Sequence, residues 1–278
     1  MNLFEVLGWL VFLLFIAVYA FKKEMLDEGG VMGAIFVGLV LLFVPRDPPG
    51  WVWLLVLLFF FVMGSFASKF KRELKVKVEE DFAKGGARNL MQVIANSAGG
   101  LVFAVLGFFS ASPVVFVGFV LSVSAMSGDT LSSEIGVLSK SNPVSIKTFK
   151  RVERGVSGGV TLLGLAAGLA GGFLIGVFSV LFVLASNQSF QVSLTLLVVF
   201  ASFAGLLGSV MDSVLGVFFQ ALYYCPKCRV LTERKTHKCG SETKLLKGVR
   251  WMDNDIVNMF SSLITSVVGI IVFYLIVK

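Results

Sequence analysis

What most limits the folds open to this chain is a succession of long, nearly uncharged apolar runs, at 3–21, 51–67, 89–109, 114–127, 158–184, 191–224 and 259–277, with a shorter one at 31–44. A helix rises about 1.5 Å per residue, so about 20 residues cross the hydrocarbon of a bilayer, and most of these runs are of that order. The chain is 56% hydrophobic, with a mean hydropathy of +0.90. A soluble core of 278 residues has no interior for so much apolar surface. The expected fold is therefore all-α, a polytopic transmembrane helical bundle of about eight spans.

Punctuation between the runs agrees. The second is closed by Pro45-Arg46-Asp47-Pro48-Pro49-Gly50, in which three prolines forbid helix continuation, and the third opens on Trp51 and Trp53, residues that favour the membrane interface. The first run is led by Glu5 and followed by Lys22-Lys23, with no small-residue cleavage site, which marks a span rather than a signal peptide. Residues 68–86 are densely charged and must lie outside the hydrocarbon; the alternation at 74–78 suits a short strand or an interfacial helix. The run at 191–224 is long and contains Asp212, so it reads as a span that breaks near Gly205 and Gly208 and continues as a half-helix. The expected partition is a three-span region at 1–67, a basic loop at 68–89, a membrane core at 90–224, a Cys/His segment at 225–250 and a last span at 251–278.

A net charge of +7 invites a nucleic-acid partner, but the positions of the charges answer otherwise. With the N-terminus outside, all Lys and Arg except Arg46 and Lys278 fall on the inner loops. That is the positive-inside rule, and it needs no nucleic acid.

Polar chemistry gathers at this inner end. Gly128-Asp129-Thr130-Leu131-Ser132-Ser133-Glu134-Ile135-Gly136 brings two carboxylates and three hydroxyls directly after an apolar run. If the span ends at 127, Asp129 sits where the macrodipole is already negative, and a cation is expected beside it. Helical spacing puts Arg88, Gln92 and Asn96 on one face, with Asn89 adjacent; Gly208, Asp212, Gly216 and Gln220 on another; and Asn254, Asn258 and Ser262 on a third. One such stripe is ordinary helix-to-helix hydrogen bonding, whereas three at one depth imply a shared site. The run at 158–184 is preceded by Arg154 and opens on Gly158-Gly159, where backbone amides approach an anion closely.

Asp129, Glu134, Asp212, Asp253 and Asp255 are the expected ligands of one or two Mg2+ ions, which bind through a few carboxylates together with substrate phosphates. Lys140, Lys150, Arg151 and Arg154 supply cations for phosphate oxygens. No Gly-x-Ser-x-Gly elbow or Walker loop is present, and the one histidine lies in the cysteine segment. Transfer of a phosphoryl group to an acceptor that is already an anion needs positioning and charge neutralisation more than a base, and suits this inventory. The Cys225-Pro226-Lys227-Cys228 motif with His237 and Cys239 offers the ligands of a structural Zn2+; free thiols or a redox pair are the other readings.

The blocks Arg88-Asn89-x-x-Gln92-Val93-x-Ala95-Asn96, Gly128-Asp129-Thr130-x-x-Ser133-Glu134-Ile135-Gly136, Ser139-Lys140-x-x-Pro143, Gly158-Gly159-Val160-Thr161, Gly208-Ser209-x-x-Asp212-Ser213 and Asn254-x-x-Val257-Asn258-x-Phe260-Ser261-Ser262 resemble the polytopic family that contains the plant phytyl-phosphate kinase. The resemblance implies a membrane-embedded kinase that passes a phosphoryl group from a nucleoside triphosphate to an isoprenoid monophosphate lipid. Asp129, Glu134, Asp212 and Lys140 would be catalytic. Arg88, Asn89, Gln92, Asn96, Thr130, Ser133, Arg154, Gly158, Gly159, Asn254 and Asn258 would meet nucleotide or phosphate. A more remote likeness to CTP-using membrane lipid kinases and cytidylyltransferases makes CTP the expected donor. The other readings are a transporter or flippase for an anionic lipid and a CDP-lipid cytidylyltransferase. No plastid transit peptide precedes Leu3, so a prokaryotic cell membrane is expected, with the site facing the cytoplasm; a homodimer is admitted.

Overall fold

A computed structural model describes residues 3–75, 86–187 and 190–277. Residues 76–85 of the charged segment lie outside the described residues, and with them most of the alternation read as strand or interfacial helix; its start, Leu74, closes a 3-10 turn, Arg72–Leu74.

Eight helices account for the apolar runs among the described residues: α1 (Leu3–Lys22), α2 (Glu28–Phe43), α3 (Gly50–Lys69), α4 (Leu90–Phe109), α5 (Pro113–Gly136), α6 (Leu162–Ala185), α7 (Leu194–Phe218) and α8 (Asn254–Val277). Seven are long and apolar enough to cross a membrane, and α2, with 16 residues, is shorter. Their starts carry local signals. Asp27 accepts from Gly30 N at 2.7 Å to cap α2, Pro113 opens α5 and Thr161 Oγ1 caps α6 through Gly164 N at 3.0 Å.

The bundle is organised around α5, in which every residue from 116 to 128 is buried. Inside its most apolar window 72% of residues are buried, against 17% for α1, so α5 is enclosed by protein while α1 faces lipid. The helices α3, α4, α6, α7 and α8 all pack on it, and α2 packs on α1, α3 and α4. The apolar core lies toward the end where α3 and α5 begin: Trp53 sits edge-on to Phe116 at 5.1 Å and tilted on Phe119 at 4.7 Å.

Two expectations about span ends are corrected. The helix α5 does not stop at 127 but runs on to Gly136, so Asp129 stands inside it and not at its negative end. The long run at 191–224 contains no break at Gly205 or Gly208. These glycines bring helices together: a methyl on Gly205 would strike the Gly168 carbonyl on α6, and one on Gly128 of α5 would strike the Gly205 carbonyl. In hydrocarbon the intrahelical hydrogen bonds have no water to compete with them, so a glycine there serves close packing without opening the helix. What ends α7 is Phe218, after which the chain turns into a strand, six residues short of the predicted boundary at 224.

Beyond the bundle, β1 (Val144–Ser145) pairs antiparallel with β2 (Gly159–Val160) in the loop between α5 and α6. Between α7 and α8 a three-stranded antiparallel sheet of β3 (Leu222–Cys225), β4 (Val230–Thr232) and β5 (Lys244–Lys247) has the order β4-β3-β5. Both lie at the end of the bundle where α5 and α7 finish and α6 and α8 begin.

Candidate active site at the polar end of the bundle

The close approach of α5 and α7 at Gly128 and Gly205 puts Asp129 and Asp212 in the wall of one chamber, which holds about 1040 Å³ of space counting its open mouth. Ser133 and Glu134 of α5, Ser209 and Ser213 of α7 and Asn254 of α8 complete the helical walls. The loop before α6 closes one side with Arg154, Gly158, Gly159 and Thr161. Gly158 has φ +84, and a Cβ there would stand 2.5 Å from Val217, so only glycine fits. Arg154 is held by its Nη2, which donates to the Ser139 carbonyl at 2.7 Å.

Two predicted stripes meet beside the chamber. Asn258 lies within 3.3 Å of Asn96. Turned so that its nitrogen faces the carboxylate, the Asn258 amide donates to Asp212 Oδ1 at 2.9 Å and to the Asn254 carbonyl at 3.2 Å. Asp212 is thus oriented from α8.

Other predicted residues have different occupations. Glu134, expected on a metal, accepts from Lys75 Nζ at 2.7 Å and from Ser68 Oγ at 2.8 Å, so it already has a cation. Lys75 is 2% exposed, and its second contact is the Ala67 carbonyl at 2.7 Å. Lys140 is exposed on the loop after α5 and does not line the chamber. Asn89 and Gln92 form a capping box on α4, at 3.0 and 3.1 Å, which uses their side chains locally. Asp253 caps α8 through Ile256 N at 3.1 Å, and neither it nor Asp255 lines the chamber. Thr130 turns its methyl toward Gly64 of α3, beside Arg88. Burial pushes the Arg88 guanidinium below its ordinary pKa, and the charge of Glu134 opposes that shift.

Lys75, Ser157 and Gln220 are among the lining residues not singled out as site residues from the sequence. Lys75 sits in a basic run and gives no signal apart from topology. Ser157 donates to Gln220 Oε1 at 3.1 Å. Gln220 is 4% exposed, and its Nε2 has no hydrogen-bond partner among the described residues. Its place in the Asp212 stripe was a usable signal.

Next to Gln220 stands the Cys/His module. The ligand atoms of Cys225, Cys228, His237 and Cys239 lie within 4.8 Å of one another. Cys225 Sγ is 3.7 Å from Cys239 Sγ, and His237 Nδ1 is 3.2 Å from Cys239 Sγ. A tetrahedral ion with bonds of about 2.0–2.3 Å sets its ligands about 3.3–3.8 Å apart, so this donor set fits a zinc-like metal and is too open for a disulfide. Hydrogen bonding from His237, then from the Ser241 backbone, pulls the Cys239 thiol down to about 6. The neighbouring thiols, Cys239 first, push Cys228 up to about 11.

An all-helical bundle of membrane-spanning length, with an acidic chamber at one end and a Cys/His module attached, defines a polytopic integral membrane protein. The chain belongs to the integral membrane protein DUF92 family, whose model matches residues 11–266. It is 33% identical over 269 residues to Protein PGR of Arabidopsis thaliana, covering 90% of each chain. To an uncharacterized membrane protein of Methanocaldococcus jannaschii it is 29% identical over 252 residues, covering 91% of this chain and 87% of that one. Protein VTE6, chloroplastic, of Arabidopsis thaliana is 29% identical over 221 residues, 76% of this chain and 56% of the relative. No solved structure gives a significant match.

Proposed function

We propose that this protein is a membrane-embedded prenyl-phosphate kinase that transfers the terminal phosphoryl group of a nucleoside triphosphate, with CTP favoured, to an isoprenoid monophosphate. The observation that carries the reading is the meeting of Asp129 and Asp212, from separate helices, with the Gly158–Gly159 backbone and Arg154 around one open chamber. Relationship to the prenyl-phosphate kinases supports it. Asp129 and Asp212 would hold Mg2+, which supplies charge neutralisation for the phosphates. The Gly158 amide and Arg154 bind phosphate oxygens, the Gly159 N–H being already donated to the Val156 carbonyl at 3.1 Å, and Gln220 Nε2 offers a further donor. An oxygen of the acceptor phosphate forms the new bond to the terminal phosphorus as the bond to the bridging oxygen breaks, leaving the nucleoside diphosphate and the prenyl diphosphate. The acceptor is already an anion, so no general base is required.

Glu134, with Lys75, fixes the α3–α5 junction in this reading. The Cys/His module binds structural Zn2+ and has no open coordination position, which gives it a folding role. The chamber faces the cytoplasm, on the charge asymmetry described above.

The test is turnover by the purified chain in detergent with Mg2+, four nucleoside triphosphates and prenyl monophosphates of several lengths. Prenyl diphosphate and nucleoside diphosphate are the expected products. Pyrophosphate with a CDP-lipid would establish the cytidylyltransferase reading instead, and no product with any pair would remove the kinase. The carrier reading, which draws on a broken helix and an intramembrane acid, loses the first, because α7 is continuous, and keeps the second in Asp212.

A further inference from the structure

A second hollow lies among α1, α2, α3 and α4, enclosing about 690 Å³ counting its open mouth. Its walls are apolar, with Leu13, Ala34 and Leu57 among them, and Arg88 is the one charged residue in the lining. Arg88 stands at one end. Its main chain is pinned to the α1–α2 turn, its N–H donating to the Met25 carbonyl at 3.0 Å and its carbonyl accepting from Asp27 N at 3.1 Å. The guanidinium lies over the Phe61 ring, 5.4 Å from the centroid. Among the described residues no hydrogen bond or ion pair reaches it, and Glu134, the acid that acts on it, is paired with Lys75. A guanidinium has five donors and no acceptor, and a half-buried one with no anion hydrogen-bonded to it is under-satisfied. An apolar hollow with a single under-satisfied cation at its rim matches a ligand with one apolar chain and one anionic head.

The head would lie at the threshold of the acidic chamber. A Cβ on Gly64 would stand 2.9 Å from Arg88 Nη2 and 3.3 Å from the Thr130 methyl, and Thr130 follows Asp129 in α5. In the other direction, the helical run from Gly64 to Leu54 on α3 is about 15 Å at 1.5 Å per residue, enough for about three extended five-carbon units.

We propose that the groove among α1, α2, α3 and α4 holds the chain of a single-tailed prenyl monophosphate, with its phosphate on Arg88 facing the acids. The prenyl identity of the tail rests on the kinase reading. The groove and its cation are observed independently of it.

The test uses the full-length protein in detergent, without nucleotide, and a farnesyl monophosphate carrying a photoreactive group at the tail end, with adducts mapped by mass spectrometry. Adducts are expected near Leu13, Leu54 and Leu57, competed by farnesyl monophosphate and not by farnesol or inorganic phosphate. Arg88→Gln lowers capture by about tenfold, and Arg88→Lys retains part of it. Leu57→Trp, on the groove wall away from Arg88, weakens competition by fifteen-carbon chains and leaves five-carbon chains unaffected. Adducts on other helices, equal competition by phosphatidylglycerol, or full capture by Arg88→Gln would each overturn the assignment. Capture at these positions with no nucleotide-dependent turnover keeps the groove and removes the kinase. Turnover with adducts elsewhere does the reverse.

Discussion

At the scale of single residues, carboxylates of similar sequence context have unlike surroundings. Asp129 and Asp212 line the chamber, Asp253 closes a helix N-terminus, and Glu134 is bound to a buried lysine. Asp129→Asn and Asp212→Asn are each expected to lower kcat by about 10³-fold with an unchanged thermal unfolding profile, because in the kinase reading each removes a carboxylate ligand of the Mg2+ that would offset phosphate charge. Retention of half the activity by either variant would take that residue out of the site. Lys75→Met should instead act on stability, leaving Glu134 part-buried without its cation at a cost of about 3 kcal/mol. The double variant Lys75→Met/Glu134→Gln should recover much of that loss in detergent melting experiments. The three helical stripes were legible in the sequence because a 3.6-residue period is a local property. The occupation of Asn89 and Gln92 by their own helix start was readable as well, since the capping-box spacing is there in the chain. That Lys75 would reach Glu134 was not, because nothing local connects residues 59 apart.

At the scale of elements, glycine placement decides how near α5, α6 and α7 come to one another. Gly168 and Gly172 of α6 meet Gly205 of α7, and Gly208 of α7 meets Ala125 of α5. Gly205→Leu should separate these helices, lowering detergent stability by about 2 kcal/mol or more and reducing turnover with it. Thermal unfolding of that variant beside Gly240→Ala, where a Cβ meets open space but φ is +76, separates a packing effect from a backbone one. The Cys/His module adjoins the proposed site at Gln220: the Gly248 backbone lies against the Gln220 carbonyl, and Val249 N donates to Phe219 O at 2.8 Å. Cys225→Ser should therefore release stoichiometric zinc, measured by metal analysis. It should also weaken nucleotide binding more than it lowers kcat with saturating substrates. Unchanged metal content would remove zinc from these ligands.

At the scale of the whole molecule, the loops with most of the positive charge, the acidic chamber and the Cys/His module all belong to one end of the bundle. With that end inside the cell, a membrane-impermeant thiol reagent should leave a Thr148→Cys variant, at an exposed position on the loop between α5 and α6, unmodified at that position in intact cells and modify it in inverted vesicles. Modification in intact cells would invert the topology and place the chamber outside.

Hydropathy and charge, read along the chain alone, determined that this protein lies in a membrane as a bundle of helices, which residues break them, and where carboxylates and amides recur on a face. Those properties follow from local spacing and from the absence of water in hydrocarbon. Only the tertiary structure decided that α5 runs on past its expected end and α7 passes Gly205 and Gly208 without a break, that Asp129 and Asp212 share one chamber while Glu134 answers Lys75, and that Arg88 borders an apolar groove. Each of these depends on which backbones approach closely enough to touch, and that is fixed by contacts between residues far apart in sequence.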